Sequence, residues 1–125
     1  MKIPNRTIWS FSTLAYTVLL TYVSLKPAAT TDPSSLVSEI LHNFCHIPAY
    51  SLLMFFLFAT LGAYRLHKNS YAAASLVAFA FGILMEYLQS FAPGRTPSLM
   101  DVGLNATGIT VMIVLLKKGY FQKWI

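Results

Sequence analysis

Charged residues are scarce in this chain, since Asp, Glu, Lys and Arg together make up 10% of its 125 residues. Soluble domains carry about a quarter. Hydrophobic residues reach 56%, so an ordinary soluble domain is not expected. The single cysteine, Cys45, excludes an intrachain disulfide. No P-loop, dinucleotide-binding or Gly-x-Ser-x-Gly motif is present, so we expect no cofactor and none of the familiar soluble chemistries.

The excess of basic residues does not indicate nucleic-acid binding. Nine Lys and Arg against four Asp and Glu give a net charge of +5. The basic residues lie between apolar runs, however, which is how membrane proteins place them, and they do not form one basic stretch. We therefore expect a lipid bilayer as the partner of this chain, and no nucleic acid. The sequence does not indicate an oligomeric state.

Four apolar runs set the predicted architecture, because a membrane-spanning helix needs about 20 mostly apolar residues. The first run exceeds the apolar core of a signal peptide, about 7–15 residues, so we interpret it as a retained span. We predict an all-α polytopic membrane protein, a single domain over residues 1–125 built as a four-transmembrane-helix bundle. The runs are Ile8–Leu25, Ile47–Tyr64, Tyr71–Phe91 and Val102–Leu116.

The segment before the second run predicts a short amphipathic helix at the membrane surface. Asp32-Pro33 is a good helix start, with Asp as the N-cap and Pro at the first helical position. Apolar residues then recur with helical spacing and polar residues fill the other face. We expect Pro48 to kink this helix into the second span, or to start that span anew. The apolar residues are Leu36, Val37, Ile40, Leu41 and Phe44.

The basic residues also predict an orientation. With four spans, both termini and the second loop share one side, which holds seven of the nine Lys and Arg residues; Lys26 and Arg95 lie on the other side. Cytoplasmic loops carry the excess of positive charge. We therefore expect a multi-pass protein of the cytoplasmic (inner) membrane with cytoplasmic N- and C-termini.

Rare polar residues converge at the outward side of the predicted bundle. On the third span, Ser75, Ala78, Gly82, Glu86 and Gln89 share one helix face by their spacing. We predict that Glu86 points into the bundle and reaches the start of the fourth helix or His46, because a carboxylate facing lipid is costly. Two further faces are expected inside, Asp101, Asn105, Gly108 and Met112 on the fourth span and Ser10, Thr13, Thr17, Thr21 and Ser24 on the first.

These residues resemble a known family. The pattern His46…Tyr50, Glu86-x-x-Gln89, Pro93-Gly94-Arg95 and Asp101…Asn105…Gly108 is similar to that of the VanZ-like proteins, small polytopic membrane proteins first named for a teicoplanin-resistance accessory protein. The resemblance covers about residues 41–116. Members often carry an Asp-Lys pair four and three residues before the His, where this chain has His42 and Asn43. The resemblance implies a role in the cell envelope or in glycopeptide-antibiotic resistance.

Most of these residues also have a purely structural interpretation. Glu86 and Asn105 can simply join helices, and Ser98-x-x-Asp101 resembles a capping box. Arg95 can lie among lipid headgroups, and its loop position suggests that it does not hold the fold together. His42 and His46 have the i, i+4 spacing of a metal-binding pair. Without a His-Glu-x-x-His pattern the pair is weak, so we predict no metal site.

Three functional classes stay open. In the first, a pocket of His46, Tyr50, Glu86, Gln89, Arg95, Asp101 and Asn105 binds an anionic envelope lipid or lipid-linked sugar. In the second, a membrane-embedded enzyme uses Glu86 and His46 as acid and base on such a lipid. In the third, the chain is a structural subunit of an envelope complex. We favour recognition over catalysis because the sequence shows no complete nucleophile–base pair.

Overall fold

Four α-helices make up the fold. The computed structural model describes residues 5–27, 36–66, 69–121, 123 and 125, with only the backbone described for 36–39. All four helices are long and apolar enough to cross a membrane, which confirms the predicted all-α architecture with four spans. The helices are α1 (Asn5–Leu25), α2 (Leu36–Ala63), α3 (Ser70–Gln89) and α4 (Leu99–Lys117).

Of the two roles predicted for Pro48, the start of α2 excludes a new helix and agrees with a helix that continues into the span. Leu36–Ala63 is one continuous helix of 28 residues with Pro48 inside it. The segment expected to lie at the membrane surface is helical, but it continues into the span and does not form a separate helix. Proline removes one backbone hydrogen bond, and membrane helices tolerate this because neighbouring groups satisfy the freed carbonyl. The predicted helix start at Asp32-Pro33 lies outside the described residues.

The closest helix contact joins α2 to α4. His46 is bonded to Asn105, and Ser51 Oγ donates to the Gly108 carbonyl over 2.7 Å, so the two helices run in the same direction. A Cβ atom at Gly108 would lie 2.3 Å from the Ile47 carbonyl oxygen. The missing side chain at Gly108 therefore lets the two backbones approach, as small residues do in membrane bundles. Buried apolar residues from α2, α3 and α4 continue this contact along the bundle, among them Leu53, Met54, Ala74, Ala78, Ile109, Met112 and Leu116.

The first helix lies at the edge of the bundle. Leu20 is the only buried residue of this helix. The helix contacts α2 and α3. Thr13 Oγ1 donates to the Phe56 carbonyl over 3.0 Å, and Tyr16 Oη donates to the Ala49 carbonyl over 2.8 Å. The polar stripe of α1 therefore faces α2, as predicted. Part of that stripe is satisfied within α1, since Thr17 and Thr21 bond to carbonyls one turn earlier.

Successive helices run in opposite directions, and the two ends of the bundle carry different residues. We call the end that contains the starts of α2 and α4 the polar end, and the opposite end the basic end. The polar end carries His42, His46, Glu86, Arg95, Asp101 and Asn105. The basic end carries the exposed residues Arg6, Arg65, Lys117, Lys118 and Lys123.

Candidate functional site at the polar end

A cap shared between two helices organises the polar end. Ser98 is the N-cap of α4, and its Oγ accepts a hydrogen bond from the Met100 amide. The Ser98 amide donates to Glu86 Oε2 on α3 over 3.1 Å. In a capping box, an acid three residues after the cap accepts that bond. Here Glu86 takes this role from another helix, and Asp101, the residue three after the cap, turns towards α2.

The prediction for Glu86 is confirmed. Its side chain points into the bundle, is only 5% exposed and reaches the start of α4. An uncompensated carboxylate at this depth is costly, and the bond from the Ser98 amide offsets part of that cost. Gln89, one turn further along α3, is buried on the same face.

His46 connects α2 to α4 through both of its ring nitrogens. Nδ1 lies 2.8 Å from Asn105 Oδ1, and Nε2 lies 3.9 Å from Asp101 Oδ2. Because Asn105 Oδ1 is an acceptor, Nδ1 carries the proton, and a neutral ring then presents a lone pair to Asp101. The second distance is too long for a direct hydrogen bond, but it suits a bridging donor or an ion pair with a protonated ring.

The Asn105 amide is only half satisfied. Asn105 is 1% exposed, and its Nδ2 atom lacks a hydrogen-bond partner among the described residues. A Cβ atom at Gly82 would lie 3.1 Å from this nitrogen and 3.1 Å from Tyr50 Cε1, so glycine at position 82 makes room for both side chains. The Tyr50 ring in turn stacks on His46, with centroids 6.5 Å apart and planes 10° apart. A buried polar atom without a partner is uncommon in a folded protein and marks this place as unusual.

Arg95 holds the rim of the polar end. Gly94 has a φ of 73°, and the Arg95 amide donates to the Ala92 carbonyl, so Pro93-Gly94 form the centre of a tight turn. This turn places Arg95 Nη1 2.9 Å from His42 Nε2 and its Nε 3.3 Å from the Lys26 carbonyl. The expectation that Arg95 plays no part in holding the fold is therefore wrong. Its side chain joins the α3–α4 turn to α2 and to the end of α1.

The seven predicted site residues thus come together, but at two depths. His46 and Arg95 are partly accessible at the rim, and the Asp101 side chain is 12% exposed beside them. Tyr50, Glu86, Gln89 and Asn105 are buried beneath the rim. The first group is therefore accessible from outside the bundle, and the second group packs beneath it.

Sequence reasoning missed two participants. His42 was considered only as half of a metal-binding pair, and it accepts a hydrogen bond from Arg95 instead. Ser98 was considered only as a cap, yet its amide anchors Glu86. Neither contact has a signal in the spacing, because each joins residues from separate elements. Among the described residues, no group of three or more His, Cys, Asp or Glu side chains is placed to hold a metal ion.

The arrangement can bind an anion and accept hydrogen bonds from hydroxyl groups. The guanidinium of Arg95 supplies the charge and the donors for a phosphate or carboxylate. His46 and Asp101 supply acceptors next to it.

Comparison with known proteins identifies the family. A model of the VanZ/LLP1 family matches residues 3–121, which extends the resemblance seen in the sequence to nearly the whole chain. No curated protein and no solved structure matches the chain. With four helices long and apolar enough to cross a membrane, the chain is a multi-pass membrane protein that belongs to the VanZ/LLP1 family.

Proposed function

We propose that the polar end recognises an anionic lipid of the cell envelope, or a lipid-linked intermediate, through Arg95. The observation that carries this proposal is how the guanidinium is held. It bonds to two neutral acceptors, the Lys26 carbonyl and the His42 ring. Among the described residues, no carboxylate oxygen lies within 4.0 Å of it. Its positive charge is therefore oriented and has no carboxylate partner among the described side chains, which suits the bidentate binding of a phosphate.

The residues beneath Arg95 support a ligand that carries hydroxyl groups as well as a phosphate. Asp101 Oδ2 and His46 Nε2 face each other across 3.9 Å and both present acceptors when the ring is neutral. Two acceptors in that arrangement favour a donor between them. The headgroup of a lipid-linked sugar supplies both chemistries, an anionic phosphate and hydroxyl donors. A role in envelope biogenesis or in teicoplanin resistance would give such recognition its biological setting.

The proposal includes the orientation of the chain. Seven of the nine basic residues belong to the end that contains both termini, which favours a cytoplasmic basic end and an outward polar end in the cytoplasmic membrane. In a Cys45→Ser background, Thr96→Cys should react with an impermeant thiol reagent in intact cells, and Asn69→Cys should not. The reverse pattern would place the polar end in the cytoplasm.

Binding is tested with a short-chain polyprenyl phosphate and purified protein in detergent. Arg95→Gln keeps a polar side chain but removes the charge, so it should weaken binding by about 1.5–3 kcal/mol, roughly tenfold to a hundredfold. Arg95→Lys should recover only part of this loss, because an ammonium lacks the bidentate fork. Lys26→Gln is the matched control, since it removes one charge at the same end and keeps the backbone carbonyl that Arg95 contacts. Equal losses in Arg95→Gln and Lys26→Gln would show nonspecific attraction and overturn the proposal.

The gap between His46 and Asp101 favours one second candidate, a membrane-embedded enzyme. In that case His46 accepts a proton from a hydroxyl or water, while Asp101 stabilises the resulting imidazolium. Glu86, named together with His46 in the sequence prediction, is committed to the Ser98 amide and would act only as a positioning residue. Incubating the protein with a radiolabelled lipid-linked sugar tests this candidate. Turnover that disappears in His46→Gln, while binding of the lipid persists, would establish catalysis, and no turnover by the unmodified protein would reject it.

A further inference from the structure

A cavity at the basic end lies far from the site proposed above. It has a volume of about 480 Å³ and lies where the start of α1, the end of α2 and the C-terminus meet. Apolar and small residues form most of its wall, with Asn5 and Arg65 as the polar members. Trp9 lines it and holds its ring edge-on to Phe55 with centroids 5.7 Å apart. An apolar cleft with one cationic side chain at its mouth is a shape that fits an acyl chain and its headgroup.

Arg65 occupies a backbone position that normally selects glycine. Its φ is 60°, in the left-handed region that costs a side chain roughly 1–2 kcal/mol. The Arg65 amide donates to the Gly62 carbonyl and the Leu66 amide to the Leu61 carbonyl, which is the Schellman arrangement at the end of α2. The end of α4 repeats this arrangement with Gly119, whose φ is 82°. The same type of turn therefore has glycine at the end of α4, away from the cavity, and arginine at the end of α2, beside the cavity.

The described charged side chains at the basic end are all of one sign. The basic end exposes Arg6, Arg65 and three lysines, and the two acidic side chains that the structure describes, Glu86 and Asp101, both lie at the polar end. Basic residues at the surface of a membrane attract anionic lipids at roughly 1 kcal/mol each. The cavity therefore combines an apolar cleft with a cationic rim beside which no described acidic side chain lies.

We infer that this cavity is a binding site for an anionic phospholipid of the adjacent leaflet, with the phosphate at Arg65 and an acyl chain along Trp9 and Phe58. The site is independent of the recognition proposed for the polar end. A membrane lipid bound there would hold the loosely packed start of α1 against the end of α2.

The fluorescence of Trp9 can measure this site directly. In a Trp124→Phe background, Trp9 is the only tryptophan, and brominated acyl chains quench it when they occupy the cavity. Phosphatidylglycerol and phosphatidylcholine with brominated chains are compared in vesicles. We expect the anionic lipid to be preferred about fivefold, as one surface charge implies. Excess inorganic phosphate should not remove the preference for the anionic lipid, because the acyl chain contributes to binding. Loss of the preference in phosphate would show that the site recognises only the anionic charge and would overturn the inference.

Substitutions at position 65 separate binding from folding. Arg65→Gln and Arg65→Gly should both abolish the preference for phosphatidylglycerol, whereas Arg65→Lys should keep it. Arg65→Gly also relieves the left-handed backbone, so the thermal midpoint should stay the same or rise while binding is lost. A preference that survives in Arg65→Gln and Arg65→Gly would overturn the inference.

Two further variants complete the test. Arg6→Gln removes a charge at the same end from a side chain that does not line the cavity, and it should leave the preference intact. An equal loss in Arg6→Gln would mean general surface attraction and would also overturn the inference. Ala63→Leu fills the cavity without changing any charge, so it should reduce quenching by both lipids. Unchanged quenching in Ala63→Leu would show that the acyl chain does not enter. Arg95→Ala should affect only the polar end, so the two proposals fail separately.

Discussion

The two ends of the bundle use their ionisable side chains in opposite ways. At the polar end, Glu86, His46 and Arg95 are each bonded to a group from another element of the chain. At the basic end, Arg65 and Lys117 are exposed, and Lys117 contacts the Tyr71 ring of α3 from the surface. The comparison shows that ionisable residues join the helices at one end, whereas at the other end the described ionisable residues face the surroundings. Substitutions should therefore reduce stability mainly at the polar end and alter lipid interactions mainly at the basic end.

The largest effect is expected at Gly108, where the backbone of α4 lies against the backbone of α2. Gly108→Ala places a Cβ atom against the Ile47 carbonyl, so α2 and α4 must separate, at a cost of about 3 kcal/mol. Thermal unfolding in detergent measures the loss. Gly103→Ala is the matched control, because its Cβ atom meets nothing within 4 Å, and it should stabilise α4 by about 0.5–1 kcal/mol. Similar stability of the two variants would contradict the close α2–α4 packing.

Removing the cross-helix cap should have the next largest effect. Glu86→Ala leaves the Ser98 amide without its acceptor and should cost about 1–2 kcal/mol. Hydrogen exchange at the Ser98 amide should accelerate as well. Glu86→Gln keeps an oxygen for that amide, so its stability and exchange should stay close to those of the unmodified protein. Fast exchange in Glu86→Gln would instead mean that the charge, and not the acceptor, holds the cap.

A smaller effect of about 1 kcal/mol is expected for Asn105→Ala, which removes one hydrogen bond from His46. This variant also tests which ring nitrogen of His46 carries the proton. Nitrogen-15 NMR of His46 should show the proton mainly on Nδ1 in the unmodified protein, since Asn105 Oδ1 accepts it. In Asn105→Ala, the proton should move towards Nε2, which faces Asp101. A ring that is already protonated on Nε2 in the unmodified protein would mean that the Asn105 amide faces the other way.

The smallest effect is expected at the basic end. Lys117→Gln removes an ammonium that lies 5.7 Å from the centroid of the Tyr71 ring, and such exposed contacts contribute about 0.5 kcal/mol. Lys118→Gln, at the neighbouring exposed position, serves as the control and should leave the unfolding midpoint unchanged. A loss at Lys117 as large as that in Glu86→Ala would erase the distinction between the two ends.

The spans and their inward faces could be predicted from the sequence because hydropathy and helical spacing are local. The faces Ala78–Gly82–Glu86–Gln89 and Asp101–Asn105–Gly108–Met112 are buried as expected, whereas Ser75, predicted at the start of the first face, is only partly buried. The bounds of α3 differ by one residue at the start and two at the end from the predicted run. Pro48 left two interpretations open, since proline ends most helices in water but is tolerated where a membrane and neighbouring helices enforce the helix.

The contacts of the site were harder to predict. Glu86 and Ser98 are 12 residues apart, and Arg95 and His42 are 53 apart, so no helical spacing relates them. Their pairing depends on how the helices cross and on the tight turn at Pro93-Gly94. The sequence can indicate which residues share a depth in the membrane, but it does not determine which donor meets which acceptor. The role of Arg95 in joining three elements became visible only in the structure.

The parallel contact between α2 and α4 has a consequence for biosynthesis. The spans enter the membrane in chain order, so His46 and Glu86 arrive there before Asp101 and Asn105. Until the last span arrives, Glu86 lacks the Ser98 amide and His46 lacks Asn105. An ionisable group held unpaired at the centre of a bilayer costs roughly 2.5–3.5 kcal/mol on insertion scales. Glu86 lies one turn from the end of α3, and His46 lies within the first two turns of the candidate span Ile40–Ala63, so water and headgroups can satisfy both during this interval. Glu86 and His46 therefore need not remain unpaired in the hydrocarbon core before the fourth helix inserts.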